Sequence, residues 1–474
     1  MNYRMEKFNP LSIFIYLISI VIFCLSLYTI TKYSGNGYVY ILFTITSNAL
    51  LYLGFRKNAI FFDTFIGLFL WLGFWLKLTI RVAFMDGRFH EAVGSFNGSP
   101  EAFDRALLVT SSALLGFIVA SIIRERFIFN YPKNIIDDHQ QGLFRFYKDH
   151  RKAILVGFVF LFVTVAISNV FLGIYQRGTI PSTILPYGLS GVYKWLLLFG
   201  LATFSAIILK FERVLTNKTS YLAVMLSLIE SMVSNISLMS RGMILNVGSL
   251  MYGLIRDAKI HQINVKKRFL LSCTIIIVIL FGSSVFAVNY IRASSFHDHN
   301  DDNNSRLIES ATNSTKLMFL DRWVGIEGVM AVSSYHGQSW DLWKKAWQEN
   351  FNVNDTSFYD NNIITSPYVT TDKLKHHFIS LPGIVAFCFY PGSFIFLFVC
   401  MFILSIFAGL IEIITFKLGG YNIILTALLA QVIAFRFASF GYVPAQTYLL
   451  FGTIILNVVI IYLANKFLLM WQDR

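Results

Sequence analysis

The chain carries about twelve apolar stretches of near-spanning length, and such a stretch has few structural options. Hydrocarbon offers no hydrogen-bond partners, so a backbone that crosses it as a helix satisfies its own N–H and C=O groups. The stretches run at 11–30, 38–53, 60–80, 106–123, 153–175, 192–209, 221–238, 243–255, 269–288, 393–416, 421–435 and 447–463. Only 14% of the 474 residues are charged, against roughly a quarter in a water-soluble domain, and 56% are hydrophobic. A cytosolic enzyme and a disordered chain are both excluded on that ground. The 47 Phe and 23 Tyr suit lipid-facing and interfacial helices. The expected fold is all-α, a polytopic membrane protein of about twelve transmembrane helices.

Charge sets the expected orientation. Lys and Arg crowd alternate short loops, among them Arg56, Lys57, Arg124, Arg126, Arg213 and Arg268, while the intervening loops carry few. By the positive-inside rule both termini lie in the cytoplasm. The first run follows MNYRMEKFNP and is read as an uncleaved helix, because TKYSGNG after it holds no small-residue cleavage signal. The net charge of +13 is dispersed between apolar runs rather than gathered in one stripe, so nucleic acid is not an expected partner. Cys24, Cys273, Cys388 and Cys400 all fall in apolar stretches without metal-ligand spacing, so no disulfide framework or zinc site is expected.

Three regions follow: helices 1–9 with short loops over 1–288, a large outer loop over 289–392, and the last three helices over 393–474. The loop opens with the polar tract SSFHDHNDDNNSR. It continues as a helix over STKLMFLDRWVGIEGVMAVSSY, a Trp-rich helix over SWDLWKKAWQENF, and an apolar segment at 378–390 too short to span. That last segment is expected to be interfacial or re-entrant.

No P-loop, GxGxxG, HExxH or GxSxG pattern is present, so nucleotide hydrolysis, zinc proteolysis and hydrolase-type serine chemistry have no support. The chemistry-bearing candidates sit on the outer side. Arg241, in SRGMILN (240–246), lies between two apolar helices, where a guanidinium pairs with an anion or snorkels to headgroups. Arg81 and Arg88 flank the outer end of the third run with Lys77 one turn deeper; they are placed to bind a diphosphate or to pair locally with Asp86. Arg322 and Glu327 in DRWVGIEGVMAV (321–332) are five apart, a poor facing distance on a helix, which leaves Arg322 for an anion and Glu327 for a hydroxyl or base. His377 and His376 sit where the loop returns to the membrane and are candidate general bases or a solvated pair. Trp323 stands beside Arg322. Trp340, with Trp343 and Trp347 on one helical face, suits the membrane interface or a sugar-stacking platform. Glu230 and Arg436 are expected to neutralise each other within the bundle.

The layout, together with SRGMILN, DRWVGIEGVMAV and HHFISLPGIVAFCFYPGSF (376–394), resembles the O-antigen polymerase family (Wzy-type) of bacterial inner membranes. Arg177 and Gly188 also match the Arg-x10-Gly spacing that some members carry in an outer loop. The resemblance implies a GT-C-like fold with a large periplasmic loop and an active site facing the periplasm. It implies polymerisation of undecaprenyl-diphosphate-linked oligosaccharide repeats into O-antigen or a related polysaccharide, with membrane lipids and a chain-length regulator as partners. Under it, Arg241, Arg322, Arg81, Arg88 and Arg436 hold the diphosphate; His377, His376 or Glu327 takes the acceptor's proton; and Trp323 and Trp340 stack on sugar. Neither a metal nor a cofactor is expected. An O-antigen ligase, and a transporter or flippase for the lipid-linked repeat, are the alternatives; a non-enzymatic assembly scaffold leaves the arginines unexplained.

Overall fold

Every one of the twelve apolar runs is helical in the computed structural model, which describes residues 10–132, 135, 141–240, 242, 244–296, 320–352, 355–366 and 377–472. The helices of the first region are α1 (Pro10–Lys32), α2 (Gly37–Phe55), α3 (Phe61–Phe84), α4 (Pro100–Ile128), α5 (Gly142–Leu172), α6 (Pro186–Thr216), α7 (Tyr221–Ser237), α8 (Ile244–Ile260) and α9 (Lys267–Phe296). Among its described residues the long loop over 289–392 adds α10 (Ile326–Ser333), α11 (Trp340–Trp347) and α12 (Gly383–Cys388), with a π-helical turn at Asp360–Ile364. The chain closes with α13 (Phe394–Leu418), α14 (Ile423–Ala438) and α15 (Thr447–Gln472). No strand occurs among the described residues. Among the described residues eight helices, α2 to α6, α9, α13 and α15, are long and apolar enough to cross a membrane, so the chain is a helical multi-pass membrane protein.

Local sequence explains where the helices begin. Asn36, Ser99, Ser220, Ser393 and Asn422 each turn a side-chain oxygen onto an amide of the first turn, satisfying donors that a helix start leaves orphaned. Small residues then set the packing. A Cβ on Gly116 would stand 2.6 Å from Phe398 O, and one on Gly253 would stand 2.9 Å from Ile424 Cα. These glycines let α4 meet α13, and α8 meet α14, backbone to backbone. Helix α14 is the centre of the bundle, packed by α3, α6, α8 and α13.

Charged side chains lock one end of the bundle. Asp63 (4% exposed) takes Arg124 at 2.8 Å and the Ser121 hydroxyl. Glu412 accepts the Phe61 and Phe62 amides at 2.8 Å each, plus Tyr131, so a carboxylate from α13 caps the positive N-terminus of α3. Arg213 grips Asp257 at 2.6 and 3.0 Å, and Arg151 grips Glu212 at 2.6 and 2.8 Å. Each pair joins two helices; all of these groups but the exposed Arg151 are buried, where an unpaired ion is costly. The opposite end carries the long outer loop and is called the outer end.

Two pieces of that loop fold back into the bundle. All residues of α10 and α12 are buried, and the two helices pack on each other; α10 also packs on α4. This corrects the expected single helix over 314–335, of which 314–319 lies outside the described residues. Arg322 precedes α10 in irregular chain, and α10 starts only at Ile326. The reason is a crossing of two backbones. A Cβ on Gly325 would stand 2.3 Å from Gly73 O, and one on Gly73 would stand 2.4 Å from Val324 O. Gly73 lies in a π-helical turn of α3 (Trp71–Leu76), a local widening of the kind found at functional sites. The eighth apolar run is also longer than expected, 17 residues rather than about 13, because polar Arg256, Asp257 and Lys259 continue the helix beyond the apolar stretch.

Gly325→Ala is expected to lower the stability of the detergent-solubilised protein by about 1–3 kcal/mol, seen as a lowered thermal midpoint, because a methyl has no room at the crossing. An unchanged midpoint would mean that the two backbones do not meet there.

Candidate functional site

At the outer end the charged groups divide into a closed set and an accessible set. Lys77 and Arg81 stand one helical turn apart on α3 and face the chain leading into α10. Lys77 Nζ pairs with Glu327 at 2.6 Å and donates to Trp323 O at 3.0 Å. Arg81 pairs with Asp321 and donates to Arg88 O at 3.1 Å, so its partner is Asp321 rather than Asp86. Lys77 is 1% exposed and Glu327 4%. Burial pushes the Glu327 carboxyl above its usual range while Lys77 draws it back. These groups tie the loop to the bundle. Arg88 is itself exposed, and its carbonyl is the acceptor in this arrangement.

The accessible set gathers arginines from separate segments. A Cβ on Gly242 would stand 3.2 Å from Arg322 Nη2 and 3.8 Å from Arg177 Nη1, so both guanidinium groups converge where α7 turns into α8. Arg436, on the last turn of α14, is within electrostatic reach of Arg177. Arg436 donates to Tyr442 O at 3.4 Å and Thr447 Oγ1 at 3.2 Å and lies over the Phe440 ring; no carboxylate pairs with it among the described residues. Arg177, Arg322 and Arg436 are all half-buried, between solvent and the packed interior.

Backbone and side-chain bonds fix this convergence. The Arg177 amide donates to Leu238 O at 2.9 Å, and the His377 amide donates to Gly178 O at 3.3 Å. Asn169 on α5, fully buried, donates to Tyr175 O and to Ser237 O, both at 3.0 Å, and accepts the Tyr175 amide at 2.9 Å. One side chain thereby sets the Arg177 loop against the end of α7. The His377 Nε2 and Tyr442 Oη are 2.9 Å apart. Burial, with the Glu349 carboxylate adding to it, pushes the Tyr442 hydroxyl above its ordinary range, so it keeps its proton.

The sequence candidates thus separate. Arg322, Arg436 and His377 join the accessible set; Arg81 and Glu327 join the closed one. Arg241 and His376 lie outside the described residues. Trp323 stacks on Phe69 at 5.8 Å. Trp340 packs edge-on against Phe396 at 4.8 Å and Trp343 at 6.0 Å, on the face that seats α11 over the start of α13. Glu230 does not pair with Arg436; it accepts a hydrogen bond from Ser234 one turn along α7, at 2.8 Å. Arg177 is marked in the sequence only by its spacing to Gly188, and Tyr442 by no local pattern. Among the described residues no cluster of His, Cys, Asp and Glu is arranged to hold a metal ion.

No protein-family model, curated protein or solved structure matches the chain.

The raised Glu327 carboxyl gives a signed pH prediction. It binds its proton more tightly folded than unfolded, so the stability it contributes is complete below the ordinary carboxyl range and declines as pH rises through the raised value. Lys77→Met removes the group that draws it back. The destabilisation by Lys77→Met is therefore expected to be larger at pH 8 than at pH 5, measured by thermal unfolding in detergent. Equal losses at both pH values would show that Lys77 does not compensate Glu327.

Proposed function

We propose that the chain is a glycosyltransferase that polymerises undecaprenyl-diphosphate-linked oligosaccharide repeats into O-antigen or a related surface polysaccharide, at the periplasmic face of a bacterial inner membrane. The observation that carries this reading is the convergence of Arg177 and Arg322 at Gly242, with Arg436 near Arg177; the reading sets this end of the bundle at the outer-leaflet headgroups. Guanidinium forks match phosphate oxygens in pairs and stay charged at any relevant pH. In this reading the twelve helices all cross the membrane, the locked end with its basic loops faces the cytoplasm, and both termini lie there.

In the reaction, an acceptor sugar hydroxyl attacks the anomeric carbon of the lipid-linked donor. The new glycosidic C–O bond forms as the bond from that carbon to the phosphate oxygen breaks, and undecaprenyl diphosphate leaves with the electron pair. Charge grows on the leaving oxygens, and Arg177, Arg322 and Arg436 stabilise it in a setting less polar than water. Arg241 is assigned to the same group by its place in the chain. His377, tied by its amide to the Arg177 loop and by Nε2 to Tyr442, takes the hydroxyl proton. Glu327, buried against Lys77, serves this site as a tie for the Arg322 segment. A ligase would use the same donor geometry and differ in its acceptor.

The test is purified protein in detergent with an undecaprenyl-diphosphate-linked repeat. A ladder of lengthening glycans is expected without added nucleotide. Arg177→Ala and Arg322→Ala are each expected to slow extension by about 10²-fold or more while the protein remains folded. Arg322→Lys should recover little, because an ammonium lacks the paired donors. Absence of a ladder, with passage of the same lipid across proteoliposome membranes, would replace this reading with a flippase.

A further inference from the structure

A carboxylate in the outer loop has a geometry that none of the roles above uses. Glu349, which follows α11, accepts the Phe358 amide on Oε1 at 2.5 Å and the Val443 amide on Oε2 at 2.8 Å. One side chain thus joins its own loop to the connection between α14 and α15. Burial pushes the carboxyl up and the two amides draw it back.

The turn it grips is strained. Val443 has φ 43° and ψ 61°, in the left-handed region. A β-branched residue there is a genuine outlier, and the Pro444 that follows disfavours helical conformations at the preceding position still more. Gly441, at φ 122°, lies so close to Pro382 that a Cβ on it would stand 2.4 Å from Pro382 Cγ. The turn is therefore backed by Pro382 on one side and held by Glu349 on the other. Between Gly441 and Val443 stands Tyr442, whose hydroxyl is 2.9 Å from His377 Nε2 and whose carbonyl accepts from Arg436. Phe351, two residues beyond Glu349, lies against both rings, with centroids 5.6 Å from His377 and 6.3 Å from Tyr442.

We propose that Glu349 is a positioning residue: by binding the Val443 amide it holds the 441–443 turn in its strained form, and that form presents Tyr442 to His377 and Arg436. Strain at a functional site persists only where the surroundings over-determine it, and a two-amide carboxylate clamp supplies that determination. The assignment rests on the site proposed above for its consequence in catalysis, but not for its geometry. Glutamine at 349 keeps one acceptor oxygen and sets an NH2 against the second amide, so it cannot hold both segments.

The experiment combines Glu349→Gln, Val443→Gly and the double variant in the full-length protein, read by hydrogen–deuterium exchange and by extension kinetics. Glu349→Gln is expected to speed exchange in the peptide containing Val443 by at least tenfold. It is expected to lower kcat about tenfold and leave KM within twofold, because the lipid diphosphate still meets its arginines. Glycine adopts positive φ without penalty, so adding Val443→Gly should restore most of the lost kcat. A merely structural role for Glu349 would give no such rescue. Unchanged exchange at Val443 in Glu349→Gln, or a double variant as slow as Glu349→Gln, would overturn the proposal. If the wild-type protein extends no glycan at all, the functional reading fails and the exchange result alone decides whether Glu349 holds the turn.

Discussion

The crossing of Gly73 and Gly325 is the contact on which the outer end depends. Two backbones approach there with no room for a methyl group, and only glycine on both sides permits it. Once Gly325 is seated, α10 enters the bundle wholly buried, Glu327 meets Lys77, and Asp321 meets Arg81. The two ion pairs flank Arg322, so its guanidinium projects from a segment anchored on both sides. A segment that returned to the membrane surface instead would leave Lys77 buried without a carboxylate, which the low-dielectric interior strongly disfavours.

The distribution of charge follows the same logic throughout the bundle. Deep groups are closed: Asp63 with Arg124, Glu412 with two amides of α3, Arg213 with Asp257. These join helices and fix their register. The arginines at the outer end differ in being half-buried, and in being brought together by loops that Asn169, Leu238 and Gly178 fasten. Under the proposed function, a diphosphate has the charge and the oxygen spacing to lie beside these guanidinium groups. His377 Nε2 and the Tyr442 hydroxyl stand 2.9 Å apart beside this group, and burial keeps the tyrosine protonated.

Much of the architecture was legible in the sequence because hydrocarbon imposes it. An apolar run near 20 residues must be a helix, and each of the twelve is one. The Trp340–Trp347 helix follows equally from periodicity, whereas the length of the segment after Pro382 gives no sign that it packs wholly buried against α10. The exceptions are contacts between residues distant in the chain. The break before Ile326 is set by Gly73, some 250 positions away, and no local pattern announces it. Asp321 rather than Asp86 as the partner of Arg81, and Ser234 rather than Arg436 as the partner of Glu230, are likewise outcomes of helix packing. Arg177 and Tyr442 lie in short connections whose sequences, GIYQRG and FGYVP, read as turns; their chemistry emerges only when His377 and Gly242 are brought beside them.

The most direct test of the account is equilibrium binding of a short polyprenyl diphosphate to the purified protein, compared with the polyprenyl monophosphate and with a variant carrying both Arg177→Gln and Arg322→Gln. The account predicts saturable binding of the diphosphate, displaced by inorganic diphosphate, and at least tenfold weaker in the double variant and for the monophosphate. Equal affinity of wild type and double variant would contradict it and remove the arginine convergence from the substrate site.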